Sequence, residues 1–196
     1  MQEYDQRVLT DRFEAALAFA AQIHQDHSRK RSQVPYLSHL LSVAALVLED
    51  GGGEDEAIAA LLHDAIEDQG HRTDLADLRR RFGARVAEIV DACSDTDQHP
   101  KPPWRGRKEA FIDRMRTAPL DVLRVACADK LHNARSTLAD LRLQGPSAWD
   151  KFGAGRDEQL WYYGSLSALF QQRMPGPLSA ELARTVAEIK TAAIPA

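Results

Sequence analysis

The chain has 196 residues, of which 25 are Lys or Arg and 29 are Asp or Glu, so its formal net charge at pH 7 is −4. This balance lacks the basic excess that is typical of nucleic-acid-binding proteins, and no apolar run reaches the ~18 residues that a membrane span needs. The two cysteines, Cys93 and Cys127, lie in apolar helical segments, where we expect reduced thiols and no disulfide. We therefore predict a single cytoplasmic domain over residues 1–196, without a nucleic acid or membrane partner.

Apolar residues recur at helical spacing along the chain, and no alternating strand pattern of useful length is present. The predicted fold class is therefore all-α, a bundle of about eight to ten helices. Its core spans residues 11–172, and a C-terminal helix follows at 178–190. The predicted helices cover residues 11–27, 37–49, 55–68, 75–82, 84–92, 105–116, 119–143, 155–172 and 178–190.

The segment Leu61-Leu62-His63-Asp64-Ala65-Ile66-Glu67-Asp68 carries most of the candidate chemistry. It continues an apolar run into three carboxylates and one histidine, which we predict to lie in the last turns of one continuous helix. Carboxylates at a helix C-terminus face the negative end of the helix dipole, and a metal ion would compensate them. A His-Asp pair that only ends a helix at the surface is the alternative, unless further ligands occur elsewhere.

Two further residues complete a candidate ligand set. His39 lies in the first turn of the predicted helix 37–49, and Asp129 lies among Val, Ala, Cys and Leu residues. A carboxylate buried in such surroundings is costly unless it is paired or binds a metal. With His63 and Asp64, these residues give two imidazoles and two carboxylates, which suit a first-row divalent ion. We expect Mn²⁺, because carboxylates and open water positions favour it, and the ligand types leave Fe²⁺ or Zn²⁺ open.

This order of residues resembles the H…HD…D pattern of the HD-domain metal-dependent phosphohydrolases. Two further motifs restrict the resemblance to one branch of this family: Glu67-Asp68 and the segment Asp129-Lys130-Leu131-His132-Asn133. Both motifs resemble those of the (p)ppGpp hydrolase domain of Rel/Spo-type enzymes and of the small alarmone hydrolases. The resemblance extends over residues 13–143.

The resemblance implies a role for each group of residues. His39, His63, Asp64 and Asp129 would bind the metal, which would polarise the phosphoryl group and activate water. Glu67 and Asp68 match the pair that positions or deprotonates the attacking water. Asn133 and Ser136 match positions that contact the substrate.

Basic side chains supply the remaining candidate contacts to an anionic substrate. Arg29 and Lys30 align with the basic pair that flanks the base and phosphates in the family. The additional Arg31 and a longer spacer leave open which of these three residues contacts the substrate. A solvated basic loop is the alternative. Lys130, together with Arg135 and the basic stretch 101–108, is a candidate for binding the diphosphate.

The function that the resemblance implies is hydrolysis of the 3′-pyrophosphate of (p)ppGpp or a related alarmone, giving GDP or GTP and pyrophosphate. A phosphatase or nucleotidase that acts on another nucleotide, such as (p)ppApp or NADPH, is the second hypothesis. The third is a catalytically silent HD domain that senses a ligand, and the complete ligand set argues against it. We expect an anionic nucleotide as the substrate or ligand, and the sequence is compatible with a homo-oligomer.

Overall fold

All regular secondary structure in residues 9–30, 32–96 and 100–192, the ranges that the computed structural model describes, is helical. This confirms the predicted all-α class. None of the helices in these ranges is both long and apolar enough to cross a membrane. The candidate substrate residue Arg31 lies outside the described residues. The chain divides into two compact units, residues 1–97 and 98–196, and the single-domain organisation stays a prediction.

The first unit is built around one buried helix. Residues 57–62 of this helix, α3 (Glu54–Leu62), are each fully buried, and α3 packs against α1 (Asp11–Ile23), α2 (Leu37–Glu49) and α6 (Ala84–Cys93). A helix that is apolar on all sides gains most by lying at the centre of a bundle. The described helices of this unit are α1 (Asp11–Ile23), α2 (Leu37–Glu49), α3 (Glu54–Leu62), α4 (Ala65–Gln69), α5 (Leu75–Phe82) and α6 (Ala84–Cys93).

Polar side chains fix where the helices of this unit begin. The Thr10 hydroxyl accepts a hydrogen bond from the Arg12 backbone N–H at 3.3 Å, which caps α1. The Thr10 backbone N–H and hydroxyl also donate to Glu54 Oε1, at 2.6 and 2.7 Å. Because Glu54 is the first residue of α3, these bonds join the N-termini of α1 and α3.

Arg72 holds the C-terminal end of α1 against the segment that follows α4. Its Nη1 donates to the carbonyl of Ile23 at 2.7 Å, and its Nη2 lies 3.1 Å from Asp26 Oδ2. A guanidinium at the last carbonyls of a helix satisfies a free acceptor and complements the helix dipole. The prediction that this helix continues to residue 27 is therefore wrong, since α1 ends at Ile23.

The second unit is organised around its longest helix, α8, which packs against α9, α10 and a 3₁₀ segment. Pro119 precedes the first turn of α8, and Gly145, with a positive φ of 64°, follows the last. A left-handed residue at this position favours glycine and ends the helix. The elements of this unit are α7 (Trp104–Thr117), α8 (Leu120–Gln144), the 3₁₀ segment (Gly145–Lys151), α9 (Gly155–Arg173) and α10 (Pro177–Ala192).

Candidate metal and catalytic site

The His63-Asp64 pair lies at a break between two helices. α3 ends at Leu62 and α4 begins at Ala65, so the prediction of one continuous helix over residues 55–68 is wrong. Asp64 adopts φ −98° and ψ 2°, which lie outside the regular helical values. His63 before it keeps helical values, with φ −59° and ψ −29°. The break turns the side chains of His63 and Asp64 toward each other and toward His39 on α2.

His63 is held in one orientation by the backbone of its own helix. Its Nδ1 donates a hydrogen bond to the Ala60 carbonyl at 2.8 Å. In a neutral imidazole the other nitrogen, Nε2, then carries the lone pair. This Nε2 lies 3.0 Å from Asp64 Oδ2.

His39 approaches the same carboxylate oxygen from α2. Its Nε2 lies 3.7 Å from Asp64 Oδ2, and its side chain is 1% exposed. The lone pairs of His63 Nε2 and Asp64 Oδ2, 3.0 Å apart, repel each other unless a positive charge lies between them. A divalent cation would supply that charge and would accept imidazole and carboxylate as ligands. The donors of the first unit therefore fit a metal ion.

The other predicted carboxylate ligand, Asp129, lies in the middle of α8 in the second unit and is buried. Its Oδ2 accepts a bond from Lys130 Nζ at 2.6 Å, and its Oδ1 accepts one from Asn133 Nδ2 at 2.5 Å. The Lys130 ammonium also lies 4.9 Å from the centre of the Phe111 ring. The charge of this buried carboxylate is thus balanced within the second unit.

The two candidate catalytic acids are neighbours on α4, directly after the His63-Asp64 break. Both are partly exposed, and Glu67 Oε2 accepts a hydrogen bond from the Asp95 backbone N–H at 3.3 Å. Asp68 lines a small open pocket beside His27 and Arg72. The pair is therefore accessible to water on the same short helix that follows the metal-binding candidates.

Residues 16–157 match the family described as HD domain. This chain belongs to the HD-domain family. It is 34% identical over 139 residues to a Xenopus tropicalis protein named guanosine-3′,5′-bis(diphosphate) 3′-pyrophosphohydrolase MESH1. The matched region covers 69% of this chain and 73% of the relative. A Haemophilus influenzae protein of the same enzyme name is 36% identical over 129 residues, and this chain spans only 18% of its length.

Two solved structures resemble this HD-domain protein. A Listeria monocytogenes protein, lmo0812, matches with a TM-score of 0.68 and 34% identity, over 78% of this chain and 99% of the other. A protein described as a metazoan ortholog of SpoT that hydrolyzes ppGpp matches with a TM-score of 0.76, over 92% of this chain and 97% of the other. At 24% identity this second match shows the fold alone.

The predicted substrate contacts of the HD-domain protein lie on both units. Arg29 belongs to a short loop in which its N–H donates to the Val34 carbonyl at 2.8 Å, and Lys30 beside it is exposed. In the second unit, Asn133 and Lys130 contact Asp129, as described above. The Ser136 hydroxyl donates to the carbonyl of His132 at 3.1 Å in its own helix.

Sequence reasoning missed Tyr36, which precedes the first turn of α2. Its hydroxyl donates to Asp64 Oδ2 at 2.5 Å. The only local signal was the position of a tyrosine three residues before His39, which places both at the start of the same helix. The partner, Asp64, is distant in sequence, so helical periodicity does not predict the contact.

Proposed function

We propose that this HD-domain protein is a metal-dependent hydrolase that removes the 3′-pyrophosphate of (p)ppGpp or a related alarmone. The products would be GDP or GTP and pyrophosphate. The observation that carries the proposal is the convergence of the Nε2 atoms of His39 and His63 on Asp64 Oδ2. The enzyme name of the MESH1 relatives, of which this chain covers 73%, supports the choice of substrate.

The proposed metal ligands are His39, His63, Asp64 and Asp129, and the proposed metal is Mn²⁺. A set of two imidazoles and two carboxylates suits this ion and leaves coordination positions for water and substrate. When bound, the ion would polarise the phosphoryl group and lower the pKa of a coordinated water. The hydrogen bond from His63 Nδ1 to the Ala60 carbonyl supports this assignment, because it fixes the tautomer with a lone pair on Nε2.

Glu67 and Asp68 are the proposed catalytic acids. An ionised carboxylate has about four lone-pair sites, so Glu67 can accept the Asp95 N–H and still hold a water molecule. Its role would be to orient this water and accept its proton as the water attacks phosphorus. Asp68, one residue further and partly exposed, would orient the same water or receive the proton.

The proposed substrate contacts are Arg29 and Lys30 from the first unit and Lys130, Asn133 and Ser136 from the second. Arg29 and Lys30 supply positive charge for the phosphates. Lys130 is paired with Asp129, so its proposed role includes holding this carboxylate as well as attracting an anion. The cytoplasm is the proposed location, and the absence of a disulfide at Cys93 and Cys127 within the described structure is consistent with a reducing compartment.

A substrate panel with the metal-stripped protein tests this function. The panel contains ppGpp, pppGpp, ppApp, NADPH and nucleoside monophosphates, each with added Mn²⁺ or with excess chelator, and products are separated by ion exchange. We expect pyrophosphate and GDP or GTP from the guanine substrates only when Mn²⁺ is present. Preferential turnover of ppApp or NADPH would contradict the choice of (p)ppGpp and make that nucleotide the substrate instead. If the protein hydrolyses none of these nucleotides and binds no metal, the proposed function is wrong and a catalytically silent ligand-sensing domain is the remaining hypothesis.

A further inference from the structure

The Tyr36 side chain connects the proposed metal site with the loop that carries Arg29. Its hydroxyl donates to Asp64 Oδ2 at 2.5 Å. The same oxygen faces the Nε2 atoms of His63 and His39, as described above. The Tyr36 ring also meets the His39 ring edge-on, with 5.4 Å between the centroids and an interplanar angle of 67°. Tyr36 therefore contacts two proposed ligands.

The ring of Tyr36 is held by stacked neighbours on its other sides. The His27 ring lies nearly parallel to it, with 4.0 Å between centroids and an angle of 12°. The His24 ring is also nearly parallel, at 5.3 Å and 18°. The Nδ1 atoms of His24 and His27 are 3.1 Å apart, so one ring donates to the other. The three rings form one stack whose orientation is fixed by packing and by this bond.

The two histidine rings of the stack are neutral near pH 7. Burial, the largest cause, lowers the pKa of His24 to about 4, and it also lowers the pKa of His27. Neutral imidazoles add no positive charge beside the proposed cation site. The Arg29 guanidinium carbon lies 5.7 Å from the Tyr36 ring centroid, within the range of a cation–π contact.

We propose that Tyr36 is a positioning residue for the metal site and for the substrate loop at once. Its hydroxyl orients the Asp64 carboxylate toward the cation, and its ring holds the Arg29 guanidinium beside the site. This inference rests on the proposed function, because it concerns the same metal site. A hydrogen-bond partner of a ligand typically changes metal affinity about 10- to 100-fold when it is removed.

Two substitutions separate the two roles of Tyr36. Tyr36→Phe keeps the ring and removes the donor, so it should weaken Mn²⁺ binding about 10- to 100-fold. At saturating Mn²⁺ it should leave the KM for ppGpp unchanged. Tyr36→Leu also removes the aromatic ring that contacts Arg29, and we expect it to raise this KM about two- to fivefold, the scale of one exposed cation–π contact.

The primary measurement is the Mn²⁺ dissociation constant of the metal-stripped full-length protein by isothermal titration calorimetry. Tyr163→Phe is the matched control, because it removes another buried tyrosine hydroxyl, which lies 3.4 Å from Thr137 Oγ1. Its dissociation constant should equal that of the wild type. An unchanged dissociation constant in Tyr36→Phe would overturn the inference. His39→Ala distinguishes the two proposals, since wild-type Mn²⁺ affinity in that variant would overturn the metal site itself.

A second measurement retains the hydroxyl and applies even if Tyr36→Phe does not fold. The full-length protein is prepared with 3-fluorotyrosine at position 36 and observed by fluorine NMR as diamagnetic Zn²⁺ is added. We expect the resonance to shift as the Asp64 carboxylate, 2.5 Å from the hydroxyl, binds the ion. A resonance that does not move at saturating Zn²⁺ contradicts the proposed link between Tyr36 and the metal site.

Discussion

Replacing His24 by Asn should make the metal-free protein less sensitive to acid. His24 is 3% exposed, and burial lowers its pKa from 6.5 to about 4. Protonation of this ring in the folded state would place a charge where water cannot solvate it. In the unfolded chain the same imidazole takes up a proton at its ordinary pKa. The difference makes His24 a source of pH-dependent stability.

The sign and size of this contribution follow from the two pKa values. Because the folded-state pKa is lowered, the stability is fully present above the unfolded pKa and is lost as the pH falls toward about 4. The complete shift corresponds to about 3 kcal/mol in the free energy of unfolding. Between about pH 7 and pH 5, His24 should account for a loss of roughly 2 kcal/mol.

Urea denaturation of the metal-stripped protein at about pH 7 and pH 5 measures this loss. Asn is the chosen replacement because its amide can still meet His27 Nδ1, the partner of His24 Nδ1 at 3.1 Å. His71→Asn, at an exposed position, is the control and should lose as much stability as the wild type. His24→Asn should lose roughly 2 kcal/mol less on acidification. The reasoning is refuted if His24→Asn and wild type lose the same free energy between the two pH values.

Three further predictions concern the proposed site. Asp129→Asn should abolish both Mn²⁺ binding and hydrolysis, measured by metal analysis and by product formation; retained Mn²⁺ would exclude Asp129 as a ligand. Glu67→Gln keeps an acceptor for a backbone N–H but removes the base, so kcat should fall roughly 10²–10⁴-fold at unchanged metal content. Loss of the metal in this variant would make Glu67 a ligand. Replacing Arg29 and Lys30 together by Ala should raise the KM for ppGpp more than it lowers kcat in steady-state kinetics. An unchanged KM would move substrate recognition to another basic segment.

The sequence was most informative about helices with clear boundaries. The helix predicted at residues 37–49 is found at Leu37–Glu49, between a proline at position 35 and the glycines at 51–53. Its apolar face and the breakers on each side are local features. The described helices α8 and α9 also begin and end within one residue of the predictions, near Pro119, Gly145 and Gly155.

The break at His63-Asp64 was not predictable from propensity, because the segment holds neither glycine nor proline. In a continuing helix, the Ala60 carbonyl would accept the backbone N–H of Asp64. The imidazole of His63 donates to this same carbonyl, and such a side-chain bond competes with the helical one. The competition depends on the orientation that His63 adopts in the folded unit. The consequence is functional, since the break directs Asp64 toward Tyr36 and His39.

Asp129 shows that burial of a carboxylate is by itself weak evidence for a metal ion. A buried Asp needs a compensating charge, and the sequence alone predicts that a metal ion supplies it. Lys130 and Asn133 on the same helix already hydrogen-bond both carboxylate oxygens. Removing Asp129 would thus strand a partly buried ammonium and should lower stability in the absence of metal, contrary to the gain expected for an unpaired carboxylate. The case for a metal depends instead on the first unit, where two imidazole nitrogens converge on one oxygen of Asp64.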